Sequence, residues 1–171
     1  GQIDVNDMVP IGYGDIPKIM YGINLGVGYK GFSITALFQG ATKVSRQYSD
    51  IVMNPFTDNG TIFEHQLDYW TPEHQNATFP RLTTLDNANL NNRQISTLNV
   101  KDADFLRLKT LEVAYDFPTK MIQKIHLKGL RLFLSGTNLI TWTKYKWGDP
   151  EAPSLTAPLT RNMSIGCSLK F

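Results

Sequence analysis

Arg161-Asn162-Met163-Ser164-Ile165-Gly166-Cys167-Ser168-Leu169-Lys170-Phe171 is the stretch on which the fold turns. Met163, Ile165, Cys167, Leu169 and Phe171 fall on one face of a strand, and Asn162, Ser164, Gly166, Ser168 and Lys170 on the other, because successive side chains alternate across a strand. The segment therefore has an apolar side and a wet side. A strand in a soluble sandwich alternates too, so the rest of the chain decides the fold.

The pattern recurs. Ile19, Tyr21, Ile23, Leu25, Val27 and Tyr29 alternate with Met20, Gly22, Asn24, Gly26, Gly28 and Lys30. Phe32, Ile34, Ala36 and Phe38 alternate with Ser33, Thr35, Leu37 and Gln39, and Leu111, Val113, Tyr115 and Phe117 with Thr110, Glu112, Ala114 and Asp116. Leu130, Leu132 and Leu134 alternate with Arg131, Phe133 and Ser135. The predicted spans are 19–29, 31–41, 105–117, 130–140 and 161–171, each near the ~9–11 residues of a tilted strand that crosses a bilayer. Leu37 and Phe133 break the pattern on the wet face. Arg107 and Lys109 fall on the apolar register of the third span, which would place them level with lipid headgroups.

The connections alternate as well. Segments 1–18, 42–104 and 141–160 are long, whereas 30–31 and 118–129 are short. An outer-membrane barrel has short periplasmic turns and long outer loops, so this order predicts the long segments outside. It gathers Tyr29, Phe32, Phe117 and Phe171 at the inner rim, where an aromatic girdle belongs. The expected fold is all-β, built of antiparallel transmembrane β-barrel strands. Within the second outer segment, Phe63 to Glu73 suggests a short helix ended by Pro72, and 93–100 a strand extending beyond the membrane. Met121, Ile122 and Ile125 have helical spacing in the inner connection.

Composition agrees with this reading. Over 171 residues the net charge is +2, too balanced for a nucleic-acid partner. Mean hydropathy is −0.23, and no run approaches the ~18 apolar residues of a membrane helix, a signal that barrel strands do not give. Cys167 is the single cysteine and lies on an apolar face, where it reads as a small hydrophobe. No leader is visible before Gly1, and the chain reads as a piece of a longer one.

Several segments, in order, resemble the C-terminal part of a SusC/RagA-type TonB-dependent outer-membrane transporter of Bacteroidetes. They are Gly1-Gln2-Ile3-Asp4-Val5-Asn6-Asp7 with Val9-Pro10-Ile11-Gly12-Tyr13-Gly14-Asp15-Ile16-Pro17, then Tyr21-Gly22 through Tyr29-Lys30-Gly31-Phe32 to Leu37-Phe38-Gln39-Gly40-Ala41. Next come Tyr69-Trp70-Thr71-Pro72-Glu73 with Pro80-Arg81-Leu82, and Asp102-Ala103-Asp104-Phe105-Leu106-Arg107-Leu108-Lys109 running to Tyr115. The series ends with Leu130-Arg131, Thr137-Asn138-Leu139, Thr143-Lys144-Tyr145, Asp149-Pro150-Glu151 and the final strand.

The resemblance implies a barrel of roughly 22 strands around a plug, in the cell outer membrane and bounded by its lipid. It implies a SusD-like surface lipoprotein as partner, and glycan or peptide fragments as cargo. Energy would come from TonB-ExbB-ExbD, acting through an N-terminal part that this sequence lacks. The predicted spans alone cannot close a barrel and would leave bare edges.

Candidate ligand-binding residues are the outer-loop aromatics Tyr69, Trp70, Trp142, Tyr145 and Trp147, near His74. Their flat faces can stack on sugars or peptide side chains. They can equally pack the loops, form an aromatic belt or touch the lipoprotein. Lumen-facing Asn24, Gln39, Glu112, Asp116 and Arg131 are expected to bond one another or the plug. At the start, placing Gly1 sixth in a calcium loop puts Asp4 ninth and Asp7 twelfth. Asp4 and Asp7 are thus candidate Ca2+ ligands in the full-length protein, with a solvated acidic turn as the plainer alternative. No other cofactor is expected.

No catalytic constellation is present, and His65, His74 and His126 are scattered, so the chain reads as no enzyme. The competing function is a soluble β-sandwich carbohydrate-binding module, with or without calcium. It predicts two sheets burying their apolar faces against each other.

Overall fold

The computed structural model describes residues 4–84, 90–152 and 157–171. The strands are β1 (Ile19–Tyr29), β2 (Phe32–Thr42), β3 (Ser45–Gln47), β4 (Val100–Asp102), β5 (Phe105–Asp116), β6 (Gly129–Thr143) and β7 (Asn162–Lys170). The architecture is all-β: an antiparallel five-stranded sheet in the order β1-β2-β5-β6-β7, with β3 and β4 forming a separate ribbon. The helices α1 (Asp50–Met53) and α2 (Thr119–Ile122) are single turns.

Side-chain alternation survives across every seam of the sheet. Ile34 lies opposite both Val27 and Val113, Val113 also faces Leu134, and Leu134 faces Ile165. The result is a continuous apolar band on one face, which remains exposed: Ile165 is 86% and Met163 72% accessible. A patch of that extent marks an interaction surface. No second sheet covers it among the described residues, so the sandwich arrangement does not occur in them.

The turn between β1 and β2 is set by local chemistry. Lys30 and Gly31 both have positive φ, 47° and 88°, while Tyr29 pairs with Phe32. That is the type I′ geometry, whose twist matches paired strands. A Cβ on Gly31 would also lie 2.6 Å from the Asp116 carbonyl oxygen, so glycine is required twice over. At the same end of the sheet, the rings of Phe32, Tyr115 and Phe117 cluster with centroids 4.4 and 4.8 Å apart.

Phe133, an apolar residue on the wet face, pairs with Gly166. Its ring covers that glycine so closely that a Cβ there would be 2.4 Å away. The ring thus buries itself against backbone, a known way to stabilise a strand glycine.

The structure corrects the expectation for Arg107 and Lys109. The β2–β5 register shifts between Leu37 and Phe38, so that Leu37 faces Thr110 but Phe38 faces Leu108. Lys109 is therefore the extra residue of a β-bulge, and a bulge re-aims the side chains beyond it. Leu108 and Leu106 move to the apolar face, opposite Phe38 and Gly40, while Arg107 turns to the polar face opposite Gln39. Strict alternation carried through this point put the cation on the wrong side.

Three smaller expectations also change. The helix expected over Phe63 to Glu73 is one 3-10 turn, Glu64–Leu67. Beyond it the chain extends, because Trp70 donates its backbone N–H to the Phe79 carbonyl at 2.9 Å and Phe79 donates to Asp68 at 3.0 Å. Of 93–100 only Val100 joins a strand, β4, which pairs with β3. And β6 continues through Thr143, three residues into the expected outer loop.

The one cluster of buried hydrophobic residues found among the described residues lies outside the sheet. Val44, Tyr48, Met53, Phe79, Ala103 and Tyr145 form it, with Val52, Tyr69, Leu98 and Trp147 packed against it. The long connections at one end of the sheet thus fold into a cap with its own apolar centre.

Candidate functional site

Two charge networks occupy the polar face of the sheet. Near the short turns, Arg131 of β6 reaches Glu112 at 2.8 Å and Asp116 at 2.9 Å, both on β5, and donates to the Ser33 hydroxyl of β2 at 3.4 Å. One guanidinium therefore ties three strands together. The sequence placed these groups on the polar face, and the register brings them into contact because Arg131 is paired directly with Asp116.

At the opposite end, below the cap, the re-aimed Arg107 is 2% accessible. It bonds Asp149 at 2.6 Å and lies 3.6 Å from Glu151. Lys109 also reaches Glu151, at 3.3 Å. Arg46 of β3 donates to the Pro150 carbonyl at 2.7 Å and to the Glu151 carbonyl at 3.4 Å. Asp149 accepts the backbone N–H groups of Glu151 at 2.9 Å and Leu159 at 3.0 Å. Burial pushes the Asp149 carboxyl up, but the Arg107 hydrogen bond and these two backbone donors outweigh it and hold it below the usual carboxylate range.

The segment bearing Asp149 is held from its other side by aromatic packing. Tyr145 stacks on Tyr48 at 4.4 Å, and Trp147 packs against His65 and Phe79 at 5.0 Å each. The Tyr48 hydroxyl oxygen accepts the backbone N–H groups of Lys146 at 3.0 Å and Trp147 at 3.3 Å. Gln66, fully buried, accepts the Phe63 N–H and donates to the Ile51 and Val52 carbonyls, closing the cap around these rings.

With this geometry in place the chain can be compared with known proteins. No family model matches it. It is 29% identical over 153 residues to TonB-dependent receptor P26 of Formosa agariphila, a match covering 88% of this chain and 15% of that one. TonB-dependent receptor P3 of the same organism is likewise 29% identical over 153 residues, covering 89% and 14%. Solved structures of the RagAB peptide transporter superpose with a TM-score of 0.78 at 27% identity, over 99% of this chain and 19% of that one. The RagAB peptide importer in its open-open state gives 0.72 at 28% identity with the same coverage. Over nearly its whole length this chain is similar to TonB-dependent receptors and to the RagAB transporter. It spans about 15% of the length of the curated relatives it matches.

The candidate ligand residues separate in the structure. Trp142 stands on the apolar face of β6, opposite Leu106 and 6.5 Å from the Phe38 ring. It therefore belongs to the apolar face of the sheet, at the end near the cap, and not to a loop. Tyr145 is 4% accessible, and burial, followed by the neighbouring Tyr48, pushes its hydroxyl up to about 12. That places it in the cap core, with no surface to offer a ligand. Trp147 and Tyr69 are half-buried against that core. Trp70 is 38% accessible and lies beside the Asp68–His74 contact of 2.7 Å. The Thr78 hydroxyl, with His74 and the Thr78 N–H, holds the Asp68 carboxyl at about 2.

Asp4 and Asp7 use their carboxylates locally. Asp4 accepts the Asn6 N–H at 2.8 Å, and Asp7 accepts the Asp4 N–H at 2.9 Å. Gly1, the sixth position of the expected calcium loop, lies outside the described residues. Among the described residues no three His, Cys, Asp or Glu side chains converge as metal ligands. Sequence reasoning missed the Arg107–Asp149–Glu151 cluster, whose only signal was a charged pair out of phase with its strand.

Proposed function

We propose that this chain is part of the wall and outer cap of a nutrient importer in the cell outer membrane. Its apolar face meets lipid, its polar face looks into a plugged lumen, and the cap stands outside. One observation carries this reading: a sheet with an uncovered apolar band matches RagAB structures over 99% of its length. The cargo is peptide fragments in the first reading, because the RagAB neighbours are peptide importers, and glycan fragments in the second. A SusD-like lipoprotein covers the outer mouth, and TonB-ExbB-ExbD supplies energy through a plug encoded elsewhere in the full-length protein. The chain catalyses no reaction of its own.

Uptake of fluorescent oligopeptides and oligosaccharides, compared between cells with and without the full-length protein, tests this. Loss of TonB-dependent peptide uptake supports the first reading, and selective loss of oligosaccharide uptake the second. Unchanged uptake of both would sink the importer.

A further inference from the structure

Charge is unevenly distributed at the end of the sheet away from the cap. Antiparallel pairing gathers the β1–β2 turn, the connection 117–128 and the end of β7 there. Lys30, Lys120, Lys124 and Lys128 stand at this end, all exposed. Neither β1, β2, β7 nor the connection contains an Asp or Glu. The carboxylates nearest this end, Glu112 and Asp116, are both bonded by Arg131 on the polar face. Among the described residues none of the four lysines reaches a carboxylate.

These cations border the apolar band. The Lys30 ammonium lies 5.1 Å from the centre of the Tyr29 ring, and Tyr29 ends the row of Leu25 and Val27 on the apolar face. Lys128 stands one residue before β6, in the register of Leu130 and Leu132, and its backbone N–H donates to the Lys170 carbonyl at 2.8 Å. Lys120 and Lys124 flank Met121, which is 62% accessible, whereas Ile122 beside it is 3% accessible. The connection is thus anchored through Ile122 and presents an apolar side chain among cations. A lysine stem lies along apolar surface while its ammonium reaches a polar layer.

We propose that this end of the sheet is a binding surface for anionic phospholipid headgroups. The ammonium groups of Lys30, Lys120, Lys124 and Lys128 take the phosphates, and Met121 enters between the upper acyl carbons. Charge complementarity favours this occupant, and the surface is continuous with the apolar band that meets lipid in the importer reading, on which the inference rests. Each lysine at an anionic surface contributes about a fivefold preference, weakened by salt.

The test uses the full-length protein in mixed vesicles of phosphatidylglycerol and phosphatidylcholine, one of them carrying a quenching nitroxide on its acyl chain. A genetically encoded fluorescent amino acid replaces Met121 or, as a reference on the apolar face of β7, Ile165. At Met121 the association constant from quenching should favour phosphatidylglycerol by about fivefold or more. High salt, or replacement of the four lysines by Gln in protein that keeps its heat-sensitive gel shift, should abolish the preference. Lys128→Gln alone should weaken it, whereas Lys170→Gln, on the polar face opposite Gly129, should not. Equal or absent quenching by the two lipids at Met121, with Ile165 quenched, would overturn the lipid surface and point to an acidic protein as its occupant. A preference that survives loss of the four lysines would overturn it too. If no lipid quenches at Ile165, the importer reading itself falls, so the two failures are distinguishable.

Discussion

Arg107 and Asp149 are 42 residues apart in the chain and 2.6 Å apart in space. Neither is exposed: their side chains are 2% and 7% accessible. Nothing near either residue in the sequence announces the other. The pair forms because a one-residue bulge re-aims one strand and because the connection after β6 folds back over the polar face.

Cutting one half of this pair should cost about 3–5 kcal/mol locally, the usual penalty for an abandoned buried charge. Hydrogen exchange on the full-length protein reads this directly. In Arg107→Ala the amides of Glu151 and Leu159, both bonded to Asp149, should exchange faster. Those of Lys146 and Trp147, bonded to Tyr48, should change much less. Equal acceleration of all four would show that segment 145–151 has one fastening, not two.

The pH dependence follows from the depressed Asp149 carboxyl. A group whose folded pKa lies below its unfolded value contributes stability above the unfolded value, and loses it as pH falls through the folded one. The ordinary value is 3.8 and the folded one is lower. Exchange at Glu151 and Leu159, corrected for its intrinsic pH dependence, should therefore stay constant from neutral pH down to the ordinary carboxylate value. It should rise only below that. Release already near pH 6 would contradict the pairing.

Gly31→Ala should destabilise the β1–β2 turn by about 1–2 kcal/mol or more, since φ is positive and the new methyl meets backbone. The urea midpoint of the heat-shifted folded band should drop, and the refolding yield with it. Lys30→Gly at the neighbouring positive-φ site should be neutral or mildly stabilising.

Trp142 and Trp147 should differ in their exposure to lipid. Trp142 is on the apolar face, whereas Trp147 is packed in the cap. In vesicles of brominated lipid, fluorescence removed by Trp142→Phe should be the quenchable part, and that removed by Trp147→Phe should not. Quenching of both would place the cap at the bilayer.

The sequence by itself determined that this protein is a two-faced antiparallel sheet, because strand alternation is a property of consecutive residues and needs no partner to be seen. It marked the tight turn through Lys30-Gly31, where backbone conformation is set by the two residues themselves. It placed Arg131, Glu112 and Asp116 on one face, since each keeps its parity within an unbroken strand. The tertiary structure alone decided everything that depends on a broken phase or a long closure. The Lys109 bulge is visible only in the pairing of β5 with its neighbours β2 and β6, and it moved Arg107 from the apolar to the polar side. Tyr145 became core and Trp142 became sheet because burial depends on what the other connection packs against, and Tyr48 and Phe79 lie tens of residues away. Local pattern fixes which way a side chain points from its own strand. Which charge or ring it meets is settled by how distant segments share space.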